Sequence, residues 1–271
     1  MKSASVLLSL GLLADATSAV SILRWRPKRN LFESNQQQLD DEGSNEYRIP
    51  TVYESTVQAR RILHLTKTGT LTTVFPEDTA SRDDDAETFE NRPAGIGGTP
   101  IGLMEYVTDC PDPEGNYGNP TMLAINIATP YKNYYRGSNI SLSLQWWPDQ
   151  TYSYFANDIP TPHTPAALPR FSLIGRLESV DLQSIEGRKA QACFLKSHPD
   201  SVLWQPGNDI HESHYVRLVV DHVYWFGGFG DRARIGWLPI EDWRSITLEE
   251  IENIRLPGEK KKADGWWRDY L

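Results

Sequence analysis

The sequence is short of cysteine: Cys110 and Cys193 are the only two among 271 residues, so at most one intramolecular disulfide can form. It is also short of positive charge, with 27 Lys and Arg against 36 Asp and Glu and a net charge of −9. That deficit argues against nucleic acid as the main partner, since gripping a phosphate backbone takes clustered cations. Beyond the first residues no apolar run approaches the ~20 residues a spanning helix needs. The chain lacks a G-x-S-x-G elbow and a G-K-[ST] phosphate loop, which removes support from hydrolase and nucleotide-phosphatase readings. Internal repeats are absent as well.

What is present begins with an address. Lys2 precedes the apolar run Val6 to Ala14, and Thr17-Ser18-Ala19 supplies small residues before a cut, so residues 1–19 read as a secretory signal peptide cleaved after Ala19. Residues 20–52 have no sustained periodicity and read as a disordered leader or propeptide, in which Lys28-Arg29 is either a dibasic processing site or a solvated charge cluster. Residues 53–254 carry the folding pattern, with 39% hydrophobic content and nine Trp in the whole chain to build a core. Residues 255–271 form a tail containing Lys260-Lys261-Lys262 and Trp266-Trp267.

Within the domain, Ser55 is a candidate cap for a helix running to Lys67, with Ala59, Ile62, Leu63 and Thr66 on one face and its polar side outward. Leu71, Thr73 and Phe75 alternate into a first strand, Ile101 to Thr108 make a second and Met122 to Ala128 a third. Pro130 to Gly137 read as a short helical connection. In the fourth strand Ile140, Leu142, Leu144 and Trp146 share an apolar face. Phe171 to Val180 read as a fifth, Ser184 to Lys196 as a helix, and Thr247 to Ile254 as a helix opened by a Thr247/Glu250 capping box. The longest strand signal is Tyr215 to Phe226. Its even positions Val216, Leu218, Val220, His222, Tyr224 and Phe226 form an almost wholly apolar face, and Gly227 to Asp231 turn it into a return strand, Ile235 to Leu238, stopped by Pro239. Six or seven strands with rim helices predict an α+β, mainly β domain.

Several chemical motifs fail on inspection. Gly228-Phe229-Gly230-Asp231-Arg232-Ala233 matches G-x-G-x-x-A, but a strand follows the glycines where a phosphate site needs a helix. His211 and His214 with Glu212 are spaced H-E-x-H, one residue short of a zinc helix, so no metal site is expected. The acidic segment Ser81 to Glu87 lacks the alternate ligands and central Gly of a calcium loop. His222 reads as a hydrogen-bonded core histidine, and no catalytic residue is assigned. Asn139-Ile140-Ser141 is the one usable glycosylation sequon, because Asn119-Pro120-Thr121 has Pro in the forbidden position. Cys110 and Cys193 can pair in an oxidising compartment; spacing alone leaves the bridge open.

The run HPDSVLWQPGNDIHESHYVRLVVDHVYWFGGFGDRARIGWLP, with GTLTTVFP and GGTPIGLMEYVTDC upstream, resembles the CREG-like family over roughly Tyr53 to Ile246. That resemblance implies a split β-barrel of the pyridoxamine 5'-phosphate oxidase type, a homodimer, and a secreted or endolysosomal glycoprotein that binds a protein or glycan partner. Relatives on this barrel include FMN-dependent oxidoreductases, in which a Ser-x-Lys segment holds the FMN phosphate. The corresponding segment here is Thr129-Pro130-Tyr131-Lys132, so Thr129 and Lys132 would be the FMN contacts. Pro130 replaces the hydroxyl and Glu105 adds negative charge, so no cofactor is expected, with the FMN oxidoreductase as the alternative reading.

Overall fold

The computed structural model describes residues 48–77, 92–148, 165–208, 211–230, 233–257 and 259. The expected signal peptide with its cut after Ala19, residues 20–47 of the leader with Lys28-Arg29, the acidic segment 81–87 and residues 260–271 of the tail lie outside the described residues.

Thr51 and Glu54 set where the chain first becomes helical. Glu54 N–H donates to Thr51 Oγ1 at 3.1 Å while Thr51 N–H donates to Glu54 Oε2 at 2.7 Å, a reciprocal pair that satisfies two otherwise orphaned donors. Helix α1 therefore spans Val52–Leu65 and starts a turn earlier than a Ser55 cap predicts; Ser55 is buried inside it. The expected outward polar side is also corrected, because Arg60 and Arg61 are buried. They point under two C-terminal helices, α4 (Ile240–Ser245) and α5 (Leu248–Asn253), the first of which the sequence pattern did not reveal. Arg60 donates to the Trp243 carbonyl and lies 5.2 Å over the Trp243 ring, so both the charge and the flat face of the guanidinium are used.

Seven antiparallel strands make one sheet: β1 (Thr68–Val74), β2 (Pro100–Tyr106), β3 (Thr121–Ile125), β4 (Ile140–Gln145), β5 (Arg170–Ser179), β6 (Ser213–Phe226) and β7 (Ile235–Leu238). Their order is β2-β1-β4-β5-β6-β3, with β7 also on β6. A Thr108↔Thr121 bridge joins the chain just past β2 to the start of β3 and so closes the barrel. Strand β6 pairs with β5 along one side and with two partners on the other: β3 over Ser213 to Arg217, then β7 over Val223 to Phe226. In the gap between them, Leu218 N–H donates to the Pro120 carbonyl at 2.9 Å and Val220 N–H to Asn119 Oδ1 at 3.0 Å. Asn119, rejected as a sugar site, thus caps backbone that would otherwise be unpaired.

The predicted face of β6 holds only halfway. Val216, Leu218 and Val220 are buried, but beyond Asp221 the buried residues are Val223 and Trp225 while His222 and Tyr224 are exposed. The pairing explains the switch: Gly175 faces Val220 and Ile174 faces His222, leaving Asp221 as the extra residue of a β-bulge. His222 is therefore no core histidine; it stands in solvent edge-on to Trp237 at 6.2 Å. Gly175 is what lets the strands close here, since a Cβ on it would fall 1.9 Å from the Val219 carbonyl oxygen.

Helix α3 (Ile185–Ser197) starts at the expected Ser184, whose Oγ accepts the Gly187 N–H at 2.9 Å. A disulfide joins Cys193 on this helix to Cys110 beyond β2, closing a loop with a sequence separation of 83. A loop of this length stabilises by about 4.5 kcal/mol in the chain-entropy view. Two outcomes are expected by chemical denaturation. Gly175→Ala should cost about 2–4 kcal/mol because backbone must move, and Cys110→Ala with Cys193→Ala about 2–5 kcal/mol, whereas Ser172→Ala on the outer face should stay within about 0.5 kcal/mol.

Candidate functional site

Two regions carry polar side chains in arrangements that local structure alone does not demand. The first surrounds α2 (Thr129–Tyr135), which holds Thr129 and Lys132, the two residues expected from the sequence as FMN contacts if a flavin were bound. Thr129 and Lys132 are both half-buried, so the structure keeps them in one short helix. Its start is a poor anion cradle. Ala128 at the cap has no side-chain oxygen, and Pro130 in the first turn has no N–H to offer. Tyr131 is fully buried, and its hydroxyl has no well-aligned hydrogen-bond partner among the described residues. The nearby carboxyl is Glu105, placed on β2 opposite Gly69, where it accepts the Tyr106 N–H at 3.0 Å.

Burial dominates the acid–base behaviour of this pair. It pushes the Glu105 carboxyl up to about 7, against the lowering effect of the Tyr106 N–H and the Tyr131 phenol. It also pushes Tyr131 well above the usual phenol range, with the Glu105 charge adding to the effect.

Beside α2 a chain of side chains runs from carboxylate to phenol. Asn126 Nδ2–H donates to Glu212 Oε2 at 3.3 Å, His214 Nδ1 meets Asn126 Oδ1 at 2.9 Å, and Tyr135 Oη meets His214 Nε2 at 2.7 Å. Burial lowers the His214 pKa. The imidazole is then neutral, with its Nδ1–H toward the amide oxygen and its Nε2 accepting the Tyr135 hydroxyl. His214 is thus used in hydrogen bonding, and no group of three or more metal-ligating side chains occurs among the described residues. Nothing in the sequence marked this network, because Asn126 just past β3, Tyr135 on α2, Glu212 just before β6 and His214 on β6 meet only when β3 pairs with β6.

The second region is the outer face of the sheet. Met104, Thr70, Ser143, Ser172, Tyr224 and Trp237 occupy one continuous register row across β2, β1, β4, β5, β6 and β7. The row is apolar at both ends, where Met104 is 65% and Trp237 62% exposed, and hydroxyl-bearing in the middle. At the hairpin end Tyr224 and Trp237 meet edge to face at 5.1 Å, and Arg170 lies 4.0 Å over the Phe226 ring. Asn139 is exposed immediately before β4, as an acceptor for sugar must be.

The Glu105 environment makes stability pH-dependent. Its pKa is raised in the fold above the ordinary 4.5 to about 7, so between those values the folded state binds more protons than the unfolded one. Stability is then greatest below the lower value and falls as pH rises through this window, by up to about 3 kcal/mol. Thermal melts should show the wild type losing stability from pH 5 to 7.5, and Glu105→Gln should flatten that slope. An unchanged slope in the variant would rule out Glu105 as its source.

Compared with known proteins, residues 50–245 match the family model described as "CREG, beta-barrel". No curated protein matches the chain. Among solved structures, a heme binding protein from Mycobacterium smegmatis is 19% identical with a TM-score of 0.46, covering 73% of this chain and 62% of that one. HutZ, a heme storage protein from Vibrio cholerae, is 16% identical with a TM-score of 0.39, over 65% of this chain and 96% of its own. An FAD-binding protein from Mesorhizobium loti is 11% identical with a TM-score of 0.36, over 62% and 90%. The chain therefore spans less than two thirds of the Mycobacterium smegmatis protein.

Proposed function

The chain belongs to the CREG β-barrel family, and from that premise we propose that it is a secreted or endolysosomal glycoprotein, a split-barrel homodimer that binds a macromolecular partner and holds no FMN. The observation that carries the reading is the start of α2. Lys132 is the one cation kept from the phosphate-binding pattern, while Pro130 removes a backbone donor and Glu105 with Tyr131 puts a titrating carboxyl beside a buried phenol. These residues do not fit a phosphate dianion, which needs converging donors. Each missing charge-assisted hydrogen bond weakens binding by about 1.5–3 kcal/mol, so two of them move a micromolar FMN site to roughly millimolar.

The homodimer is supported by the hairpin. Tyr224, Ile235 and Trp237 are all more than a third exposed on β6 and β7, and large exposed apolar and aromatic side chains grouped in this way are the usual anchors of an interface. No helix among the described residues is long and apolar enough to cross a membrane. Secretion and the use of Asn139 rest on the N-terminal pattern and the exposed sequon.

The test begins with the purified protein. It should be colourless from a flavin-replete host and give no saturable heat with FMN up to high micromolar concentration. Light scattering should return the mass of two mature chains, and Trp237→Lys should return one. Asn139→Gln should remove the N-glycan from protein secreted by a eukaryotic host. A yellow protein with stoichiometric FMN that is lost in Lys132→Ala would establish the flavin oxidoreductase instead.

A further inference from the structure

We infer that the groove across β1 and β4 is a binding site for a neutral oligosaccharide. This deepens the reading of the protein as a binder, on which it rests, by giving the partner's chemistry. The groove has a volume of about 870 Å³ and lies at the end of the sheet away from the aromatic hairpin. Its floor carries the polar side chains of Thr68, Thr70, Ser143 and Gln145, all exposed, flanked by exposed Leu65 and Met104. They are neighbours by construction, because Thr70 faces Ser143 in the β1/β4 register and side chains of alternate residues share a face. One wall is aromatic. Trp146 is buried and held by its Nε1–H on the Pro257 carbonyl at 2.7 Å, and Trp147 follows it, 46% exposed, at the rim.

The chemistry of this lining selects among ligand classes. A lipid or apolar helix would have to bury the hydroxyl floor without replacing its water, at a cost for each unpaired group. An extended peptide that adds a strand needs free backbone N–H and C=O groups, but β1 is paired on both sides, to β2 and to β4. A polyanion needs clustered cations; the lining holds Lys67 and Glu259, and the Glu259 carboxylate is already taken by Arg61 and the Leu256 N–H. What remains is a ligand with many hydroxyls, no charge and a flat C–H face. A sugar ring can lay that face on Trp147 while its hydroxyls exchange hydrogen bonds with groups that both donate and accept. Thr and Ser hydroxyls do so, and Gln145 offers one amide acceptor and two donors. Ser143 already meets Ser172 at 2.9 Å, which orients its hydroxyl and leaves it a second bond to make.

The test is calorimetric titration of the full mature protein with cellohexaose, laminarihexaose, chitohexaose and mannohexaose, with a heparin hexasaccharide as the charged control. At least one neutral hexaose should bind saturably. For that sugar Trp147→Ala should weaken binding about tenfold, Trp147→Phe should retain most of it, and Thr70→Val, which keeps a β-branched strand residue, should weaken it severalfold. Lys189→Ala, on the exposed side of α3 and outside the groove lining, should leave the affinity unchanged. The inference is overturned if no neutral hexaose saturates by about 10 mM, if Trp147→Ala or Thr70→Val binds like wild type, or if the heparin fragment binds more tightly than all four. FMN titration and light scattering on the same samples separate the two ideas. A colourless dimer that ignores sugars defeats only the groove, whereas stoichiometric FMN defeats the non-flavin reading whatever the sugars do.

Discussion

One extra residue in the longest strand fixes which side chains face the barrel and which face solvent. Asp221 has no partner in the β5/β6 register, so side-chain parity reverses at it: Val216, Leu218 and Val220 point inward before it, Val223 and Trp225 after it. The reversal is possible because Gly175, across the ladder, leaves room for the Val219 carbonyl. Its consequences reach in both directions. Inward, Trp225 joins Phe171, which also packs on Trp243, and this cluster seats α4. Outward, Tyr224 is left beside Trp237, so the exposed aromatic hairpin proposed as a subunit contact is the other product of the same bulge.

Buried charge plays the same specifying role beside this cluster, where Arg60 lies over the Trp243 ring. Arg60 is fully buried and burial lowers its pKa, opposed by the charges of Asp109 and Glu250. Arg61 next to it donates to the Ile251 carbonyl at 2.9 Å and pairs with Glu259. A hydrophobic pair of similar volume could pack these positions at no greater cost. The guanidinium groups instead specify where α4, α5 and the segment up to Glu259 must lie, because each reaches a particular carbonyl or carboxylate. The placement of Glu259 in turn forms one rim of the β1/β4 groove. The Arg61–Glu259 pair therefore helps shape the groove that begins at the end of α1.

Much of this architecture was legible in the sequence, and the failures have a common cause. The alternation in Ile140 to Trp146, the capping box at Thr247, the Ser184 cap and the β6–β7 hairpin were readable because each is decided by residues close in the chain. The Thr51/Glu54 capping box was equally local but was overshadowed by Ser55, which carries the same chemistry one turn later. His222 was misplaced because a bulge leaves no periodic trace when the residues around it are apolar on both faces. The polar stripe of α1 looked solvated because nothing near Arg60 or Arg61 in sequence announces the Trp243 carbonyl or Glu259. The Glu212, Asn126, His214 and Tyr135 chain and the β1/β4 groove were invisible for the same reason: both are assembled by strand pairing.

Adjacent residues of β2 connect these threads. Met104 and Glu105 point to opposite faces of one strand, so Met104 borders the outer groove while Glu105 lies toward Tyr131. Glu105 puts a carboxyl on the inner side, where negative charge disfavours a phosphate dianion and burial pushes its pKa up to about 7. Such a group weakens the fold at neutral pH and does so least in acidic surroundings. The residue that argues against flavin therefore also supports the proposed acidic endolysosomal setting, where its burial costs least. On the proposed cofactor-free reading, recognition falls to the outer surfaces. The outer face of the same strands supplies them, as an aromatic edge suited to a second copy and a hydroxyl floor suited to an uncharged, hydroxyl-rich ligand.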